Sequence, residues 1–326
     1  GTMFKRKLGP SGLKVSALGL GCWAIGGPFW RGDQPVGWGQ VDDQESMRAL
    51  ERALDLGVTF FDTADVYGCG HSERLLGRVL AGRRESVVLA TKFGNRFDEK
   101  TRKITGRDAS PEAIRRACEA SLRRLQTDYI DLYQFHLGDY VLEQAPLVRD
   151  TLEDLVGEGI IRAYGWSTDS PERARLFAEG PNCAAIQHRL NIFEGNHQVL
   201  AICEAANLAS INRSPLAMGL LTGKFSPETM LPQDDVRYGN NWNFKTGPIA
   251  GRLKTLDRLR DILTADGRTL AQAALGWLWA KSERTIPIPG FKTVEQVEEN
   301  VAALQFGPLS HDQMTQIDQL LKEQTQ

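Results

Sequence analysis

The sequence predicts an α/β fold built as a closed (β/α)8 barrel. Short apolar runs alternate with helical patterns along the whole chain, and these runs number eight. They are too continuous to be half-exposed antiparallel strands and suit parallel strands buried on both faces. Repeated β–α units imply right-handed crossovers and a parallel sheet. The 326 residues leave room for insertions on a barrel that typically takes ~250.

In order, Lys5 to Val15 carries Gly9-Pro10-Ser11-Gly12 and reads as an N-terminal β-hairpin closing the barrel floor. The expected strands are Val15 to Gly21, Val58 to Phe61, Val87 to Thr91, Tyr129 to Phe135, Ile160 to Trp166, Ala184 to Leu190, Leu208 to Asn212 and Arg284 to Ile288. Helix starts are legible between them. Ser110-Pro111 and Ser170-Pro171 place a hydroxyl at the N-cap and proline at the first helical position. Asp42 with Glu45, Thr269 with Gln272, Thr293 with Gln296 and Ser310 with Gln313 have capping-box spacing. Gly57 ends the first helix, and a helical pattern follows from Ser72. Gly26 to Gln40 and Ser226 to Gly247 follow the first and seventh strands. Both are longer than plain connectors and are expected to cover a pocket. Trp277 and Trp279 sit in a helical run assigned to the core, and the last helix, Ser310 to Leu321, is an extra one. Residues 3–326 read as one domain, with Gly1-Thr2 ahead of Met3 read as an expression scar and left out of the fold reasoning.

Composition excludes several function classes. Hydrophobic residues make up 41% and charged residues 25%, with a net charge of -2 and a pI near 6.3. No basic surplus exists to neutralise nucleic-acid phosphates or seek an anionic membrane. Five scattered cysteines without Cys-x-x-Cys suggest reduced thiols, and no apolar span has membrane length, so a cytoplasmic protein is expected. Oligomeric state is left open.

The chemistry gathers around Phe60 to Gly77. In a parallel barrel, side chains at strand C-termini converge on one mouth. Asp62, Lys92 and His136 stand at three consecutive strand ends, and Tyr67 hangs from the loop after the second. Pairing a lysine with an aspartate limits the cost of burying either. A lysine beside a tyrosine is expected to lower the phenol's pKa from about 10, so that it exchanges a proton near neutrality. His136 suits orienting a carbonyl oxygen or relaying the proton. Gly19-Leu20-Gly21-Cys22-Trp23-Ala24 matches a dinucleotide fingerprint, but no helix begins before Asp42, which sets that reading aside.

Several motifs then carry a family resemblance. Asp-Thr-Ala-x-x-Tyr-Gly at Asp62 to Gly68, Gly-His-Ser-Glu at Gly70 to Glu73, Thr-Lys-Phe-Gly at Thr91 to Gly94, Asp-Leu-Tyr-Gln-x-His at Asp131 to His136 and Ser-Pro-Leu-Ala-x-Gly-Leu-Leu-Thr-Gly-Lys at Ser214 to Lys224 resemble the aldo-keto reductases in order and spacing. The resemblance covers nearly the whole chain. It implies NADPH or NADP+ extended across the barrel mouth, with NADH as a second option, and no metal. It implies hydride transfer between nicotinamide and an aldehyde or ketone, or the reverse alcohol or aldose oxidation. Tyr67 would be the acid/base, Lys92 would tune it, Asp62 would hold Lys92, and His136 would position the carbonyl. Ser167 and Gln187 resemble residues that bind the nicotinamide amide, with Trp23, Asp62 and Thr168 beside them. Ser214, Leu216, Gly219 and Lys224 resemble the pyrophosphate loop. Gly290, Lys292, Thr293, Gln296 and Asn300 resemble the adenine end, where a phosphate would meet free N–H groups at a helix start.

Departures mark where the carry-over is open. Thr168 replaces an Asn common in relatives. Arg213 replaces a stacking aromatic ring, and its guanidinium could stack or be salt-bridged elsewhere. Gln296 replaces a common Arg, although Lys292 restores some preference for the 2′-phosphate. Thr293 and Gln296 are fully explained as a capping box, Glu73 as a cap or pair, and Trp23, Trp30 and Trp242 as either pocket or packing residues. Two other functions remain in view: a cofactor-sensing subunit of the potassium-channel β-subunit type, and a Schiff-base aldolase on Lys92.

Overall fold

Eight parallel strands form the wall: β1 (Leu20–Gly21), β2 (Phe60–Asp62), β3 (Val88–Phe93), β4 (Ile130–Phe135), β5 (Ile161–Ser167), β6 (Cys183–Asn191), β7 (Ala209–Arg213) and β8 (Thr285–Pro287). Each pairs with the next in sequence. The ring closes between β1 and β8, where Gly19 N–H donates to the Pro287 carbonyl and Gly21 N–H to that of Pro289, both at 3.0 Å. A Cβ on Gly21 would lie 2.6 Å from the Ile288 carbonyl oxygen, so the seam admits only glycine there. The structure, a computed structural model, describes residues 3–324; Gly1, Thr2 and the last two residues of the 3–326 span lie outside the described residues.

All eight expected strands are present. The first run divides: Lys14–Ser16 is the second strand of the floor hairpin, pairing with Lys5–Lys7, and β1 begins after the chain turns at Ala17–Gly19. Leu8 and Val15 of the hairpin are buried with Phe60, Val88, Leu132 and Ile211 inside the barrel and plug its floor.

Strand alternation sorts every side chain. Phe60 then Asp62, Val88 and Ala90 then Lys92, and Leu132 then Gln134 point inward, changing from apolar to polar toward the C-terminal end. Phe93, Tyr133, Phe135, Trp166 and Ile186 face outward, into the layer under the helices. The same layer holds His188, whose Nε2 lies 2.6 Å from Ser210 Oγ. Burial pushes its pKa down to about 4. The unfolded chain, with an ordinary imidazole near 6.5, therefore takes up the proton first as pH falls. Stability is full above about pH 6.5 and is lost toward pH 4, on the order of 3 kcal/mol from this group. His188→Gln is expected to remove that share of acid sensitivity; urea midpoints at neutral and acid pH measure it.

The helices begin largely where the caps predict. Ser110 Oγ and Ser170 Oγ accept from Ala113 and Arg173 N–H. The Thr269–Gln272, Thr293–Gln296 and Ser310–Gln313 boxes are reciprocal. The Asp42–Glu45 pair is only half a box. Asp42 caps Gln44 and Glu45 N–H, but Glu45 turns away to accept from Val294 N–H at 3.0 Å, at the start of the helix Val294–Phe306. The final helix, His311–Gln324, packs through Ile317 against the helix Gly247–Leu263. Trp277 and Trp279 are buried core.

One element was not expected. Trp30–Arg31 and Gln34–Pro35, within the loop after β1, join Asn95–Asp98 and Lys103–Arg107, after β3, in a four-stranded accessory sheet. The loop after β7 carries a short helix, Val236–Gly239, and meets the β1 loop where Val236 N–H donates to the Gly37 carbonyl.

Candidate functional site

The polar inward residues meet at the barrel mouth. Lys92 is fully buried, and its Nζ donates to Asp62 Oδ2 at 2.7 Å, the Thr63 carbonyl at 2.9 Å and Tyr67 Oη at 3.0 Å. Three acceptors match the three donors of an ammonium. Asp62 Oδ1 accepts from Gln134 Nε2 at 2.9 Å and Gln187 Nε2 at 3.0 Å. The carboxylate therefore holds the lysine on one side and two amides on the other. Tyr67 is fixed by its loop. Gly68 follows in a left-handed conformation, φ 62°, and packs so closely on Gly26 that a Cβ would lie 2.0 Å from the Gly26 carbonyl oxygen. Tyr67 and His136 meet edge-on with ring centroids 5.8 Å apart.

Electrostatics alters one expectation. The Tyr67 pKa is raised: burial dominates, and the Lys92 charge only partly offsets it. Asp62 opposes that ammonium's pull, so the phenol keeps its proton in the resting site. Burial pulls Lys92 down, but Asp62 and then Tyr67 more than compensate, and its pKa is raised. Burial first, then the charges of Lys92, Arg213 and Arg31, hold His136 well below the usual imidazole value. His136 is thus a neutral ring, suited to hydrogen bonding rather than to carrying a proton.

A cavity of about 720 Å³ opens over these groups, within the range of small-molecule sites. Asp62, Tyr67, His136, Trp23 and Gln187 line it at the reacting end. Arg213, Ser214, Leu216, Gly219 and Lys224 line the side built from the loop after β7, and Gly290, Lys292, Gln296 and Asn300 line the far end. Arg213 is salt-bridged to Asp169 and still faces the cavity.

Other expected residues stand off the wall. Ser167 and Thr168 are buried outside it, and the Thr168 hydroxyl donates to the Gly138 carbonyl at 2.7 Å. Thr293 is engaged in its capping box. Trp30 lies in the accessory sheet, and Trp242 packs near Phe244 at 6.1 Å between ring centroids; neither lines the cavity. The helix start at the far end is also occupied. Gln296 Oε1 accepts from Lys292 and Thr293 N–H, and Glu45 accepts from Val294 N–H. Those N–H groups are not free for a phosphate. Lys292 Nζ donates to the Trp38 carbonyl, tying the β1 loop over the cavity.

Sequence reasoning passed over Gln134 and Trp38. Gln134 had a signal: it lies two residues before His136, hence on the same inward face, in a motif read for its histidine. Trp38 had none beyond membership of a tryptophan-rich loop. It lines the cavity, stands edge-on to Trp23 at 5.2 Å and receives the Arg237 guanidinium at 4.6 Å.

Known proteins share this fold. The profile described as the aldo/keto reductase family matches residues 17–322. YqkF, an uncharacterized oxidoreductase of Bacillus subtilis (strain 168), is 30% identical over 324 residues, covering 98% of this chain and 97% of that protein. A glycerol dehydrogenase structure from Gluconobacter oxydans matches with TM-score 0.83 at 33% identity, over 98% of this chain and 95% of that one. An aldo-keto reductase from Klebsiella pneumoniae, solved in complex with NADPH, matches with TM-score 0.69 at 29% identity, over 98% and 95% of the two chains. With the match running from the end of the floor hairpin into the last helix, this chain belongs to the aldo/keto reductase family.

Proposed function

We propose that the protein is an NADPH-dependent carbonyl reductase, able to run the same path backward on alcohols, with Tyr67 as the proton donor and acceptor. The observation that carries this reading is the contact between Lys92 Nζ and Tyr67 Oη at 3.0 Å, made by an ammonium already held by Asp62. The cavity's donor set fits the dinucleotide. Gln187 uses only its Nε2, toward Asp62 and Gln134, which leaves its carbonyl oxygen for an amide. The cations Arg213, Lys224 and Lys292 lie along the wall for a pyrophosphate and a 2′-phosphate, with Asn300 at the adenine end.

When bound, the nicotinamide supplies a hydride to the carbonyl carbon, or takes one from an alcohol. The protein's residues do the rest. His136, neutral, donates a hydrogen bond that orients the carbonyl oxygen. Tyr67 gives its proton to that oxygen as negative charge develops there. Lys92 stabilises the phenolate left behind, and Asp62 with Gln134 and Gln187 keeps the ammonium aimed. The walls Trp23, Phe29 and Val36 limit water at the reacting atoms.

The test is NADPH oxidation, followed by its absorbance, across aldehydes, ketones and sugars in both directions. Turnover lost in Tyr67→Phe supports the reading. Cofactor binding with no turnover of any carbonyl would instead favour a cofactor sensor. A pH profile adds a second check. Because the Tyr67 pKa is raised and His136 stays neutral, reductive kcat/KM is expected to be flat through neutral pH and to fall only in the alkaline range, without an imidazole limb. A break near the ordinary imidazole value of about 6.5 would contradict it.

A further inference from the structure

We propose that the accessory sheet makes this site selective for carbonyl compounds bearing an anionic group, carboxylate or phosphate, held by Arg31 with Arg107 beside the reacting end. The proposal rests on the carbonyl-reductase reading and deepens it by naming the substrate class. Four residues of the accessory sheet reach the cavity as polar groups: Arg31, Gln34, Asn95 and Arg107. Strand register sets them in two pairs, Arg31 opposite Gln34 and Arg107 opposite Asn95. Residues directly opposite in an antiparallel pair are side-by-side neighbours on one face. Each guanidinium therefore has a neutral amide, and not a carboxylate, as its cross-strand neighbour.

Arg31 differs from the other arginines on the wall. Arg107 pairs with Asp139, Arg189 with Glu194, Arg213 with Asp169 and Arg237 with Asp235. Arg31 makes no ion pair and no side-chain hydrogen bond among the described residues, and Asp33, in the turn of its own hairpin, makes no ion pair with it. The Arg107–Asp139 pair is itself largely exposed, 52% and 74%, so it holds weakly and can yield to a better-placed anion. The charge of Arg31 is felt at His136, together with those of Lys92 and Arg213. Against these cations the cavity wall offers two carboxylates, Asp62, already paired with Lys92, and Glu299, at the far end.

Arg31 stands apart from the cations proposed for the cofactor. Lys224, Arg237 and Lys292 come from the loops after β7 and β8. Arg31 comes from a strand hydrogen-bonded into the sheet after β3, on the side of Tyr67 and His136. A planar guanidinium recognises carboxylate or phosphate in bidentate fashion, and no carboxylate of the described residues engages that of Arg31. The anion serves as a handle: it stays unchanged while the carbonyl at the other end of the molecule is reduced.

Matched aldehydes test this with NADPH as reductant: 4-oxobutanoate against pentanal, and glyceraldehyde 3-phosphate against glyceraldehyde. The wild-type protein is expected to favour the anionic member of at least one pair by about tenfold or more in kcat/KM, and the pair showing the larger ratio identifies the anion. Arg31→Ala should cut that ratio about tenfold, chiefly through KM, and Arg31→Lys should restore part of it, since the charge returns without the fork. Added salt should compress the wild-type ratio. Equal use of both members by the wild type, or a ratio that survives Arg31→Ala, overturns the proposal while leaving the reductase reading intact. If none of the four aldehydes turns over while other carbonyls do, the anion preference fails and the reductase reading stands; if no carbonyl or alcohol turns over at all, the reductase reading is what fails. The anion site is then decided by tryptophan fluorescence, since Trp23 and Trp38 line the cavity: saturable quenching by succinate that disappears in Arg31→Ala supports it, and no such difference refutes it.

Discussion

Tyr67→Phe is expected to lower kcat for carbonyl reduction by about 10²–10⁴-fold while leaving NADPH affinity close to that of the wild type, the usual span for losing a positioned acid. The ring of Tyr67 packs with Phe29, Ala64 and Val66, and phenylalanine preserves that packing. Only the hydroxyl is removed, and with it one of the three acceptors of Lys92 Nζ. The ammonium keeps Asp62 and the Thr63 carbonyl, so the fold should be little disturbed. Steady-state rates paired with a fluorescence titration of NADPH separate the two effects. A variant that reduces aldehydes at the wild-type rate would mean that another group delivers the proton.

Lys92→Met should fail in two ways at once. Activity falls by a similar factor, because nothing then stabilises the phenolate. Stability also falls, by about 3–5 kcal/mol, since removing one member of a buried ion pair leaves the other charge uncompensated. Both side chains are almost completely excluded from solvent, at 0% and 2%, so water cannot take the place of the lysine. Lys92→Met combined with Asp62→Asn removes both charges and should recover much of the lost stability without any activity. Urea midpoints for the two single variants and the double variant make the cycle measurable. A Lys92→Met protein as stable as the wild type would show that the pair is not what holds the mouth together.

Most of the barrel could be read from the sequence because its determinants are local. A buried parallel strand announces itself as an apolar run, and Ser-Pro or a capping box marks the next helix start. Once strand ends are known, Asp62, Lys92 and His136 fall on one rim by chain order alone. Gln134 was within reach by the same period-two argument. The first strand's break at Ala17–Gly19 was not, because an apolar run carries no mark of where a chain leaves a floor hairpin for a barrel wall.

By itself, then, the sequence determined the strand and helix order, the barrel and the four groups at its mouth, since each follows from patterns within a few residues or from the repetition of one unit. Only the tertiary structure decided what surrounds them. The accessory sheet joins segments far apart in the chain, as when Arg102 donates to the Gly26 carbonyl 76 residues away, and no local pattern encodes such a pairing. The donors at the start of Val294–Phe306 are filled in part by Glu45, from another helix. The phenol of Tyr67 is raised and not lowered, because its pKa sums burial and every nearby charge, and burial exists only once the chain has closed around it.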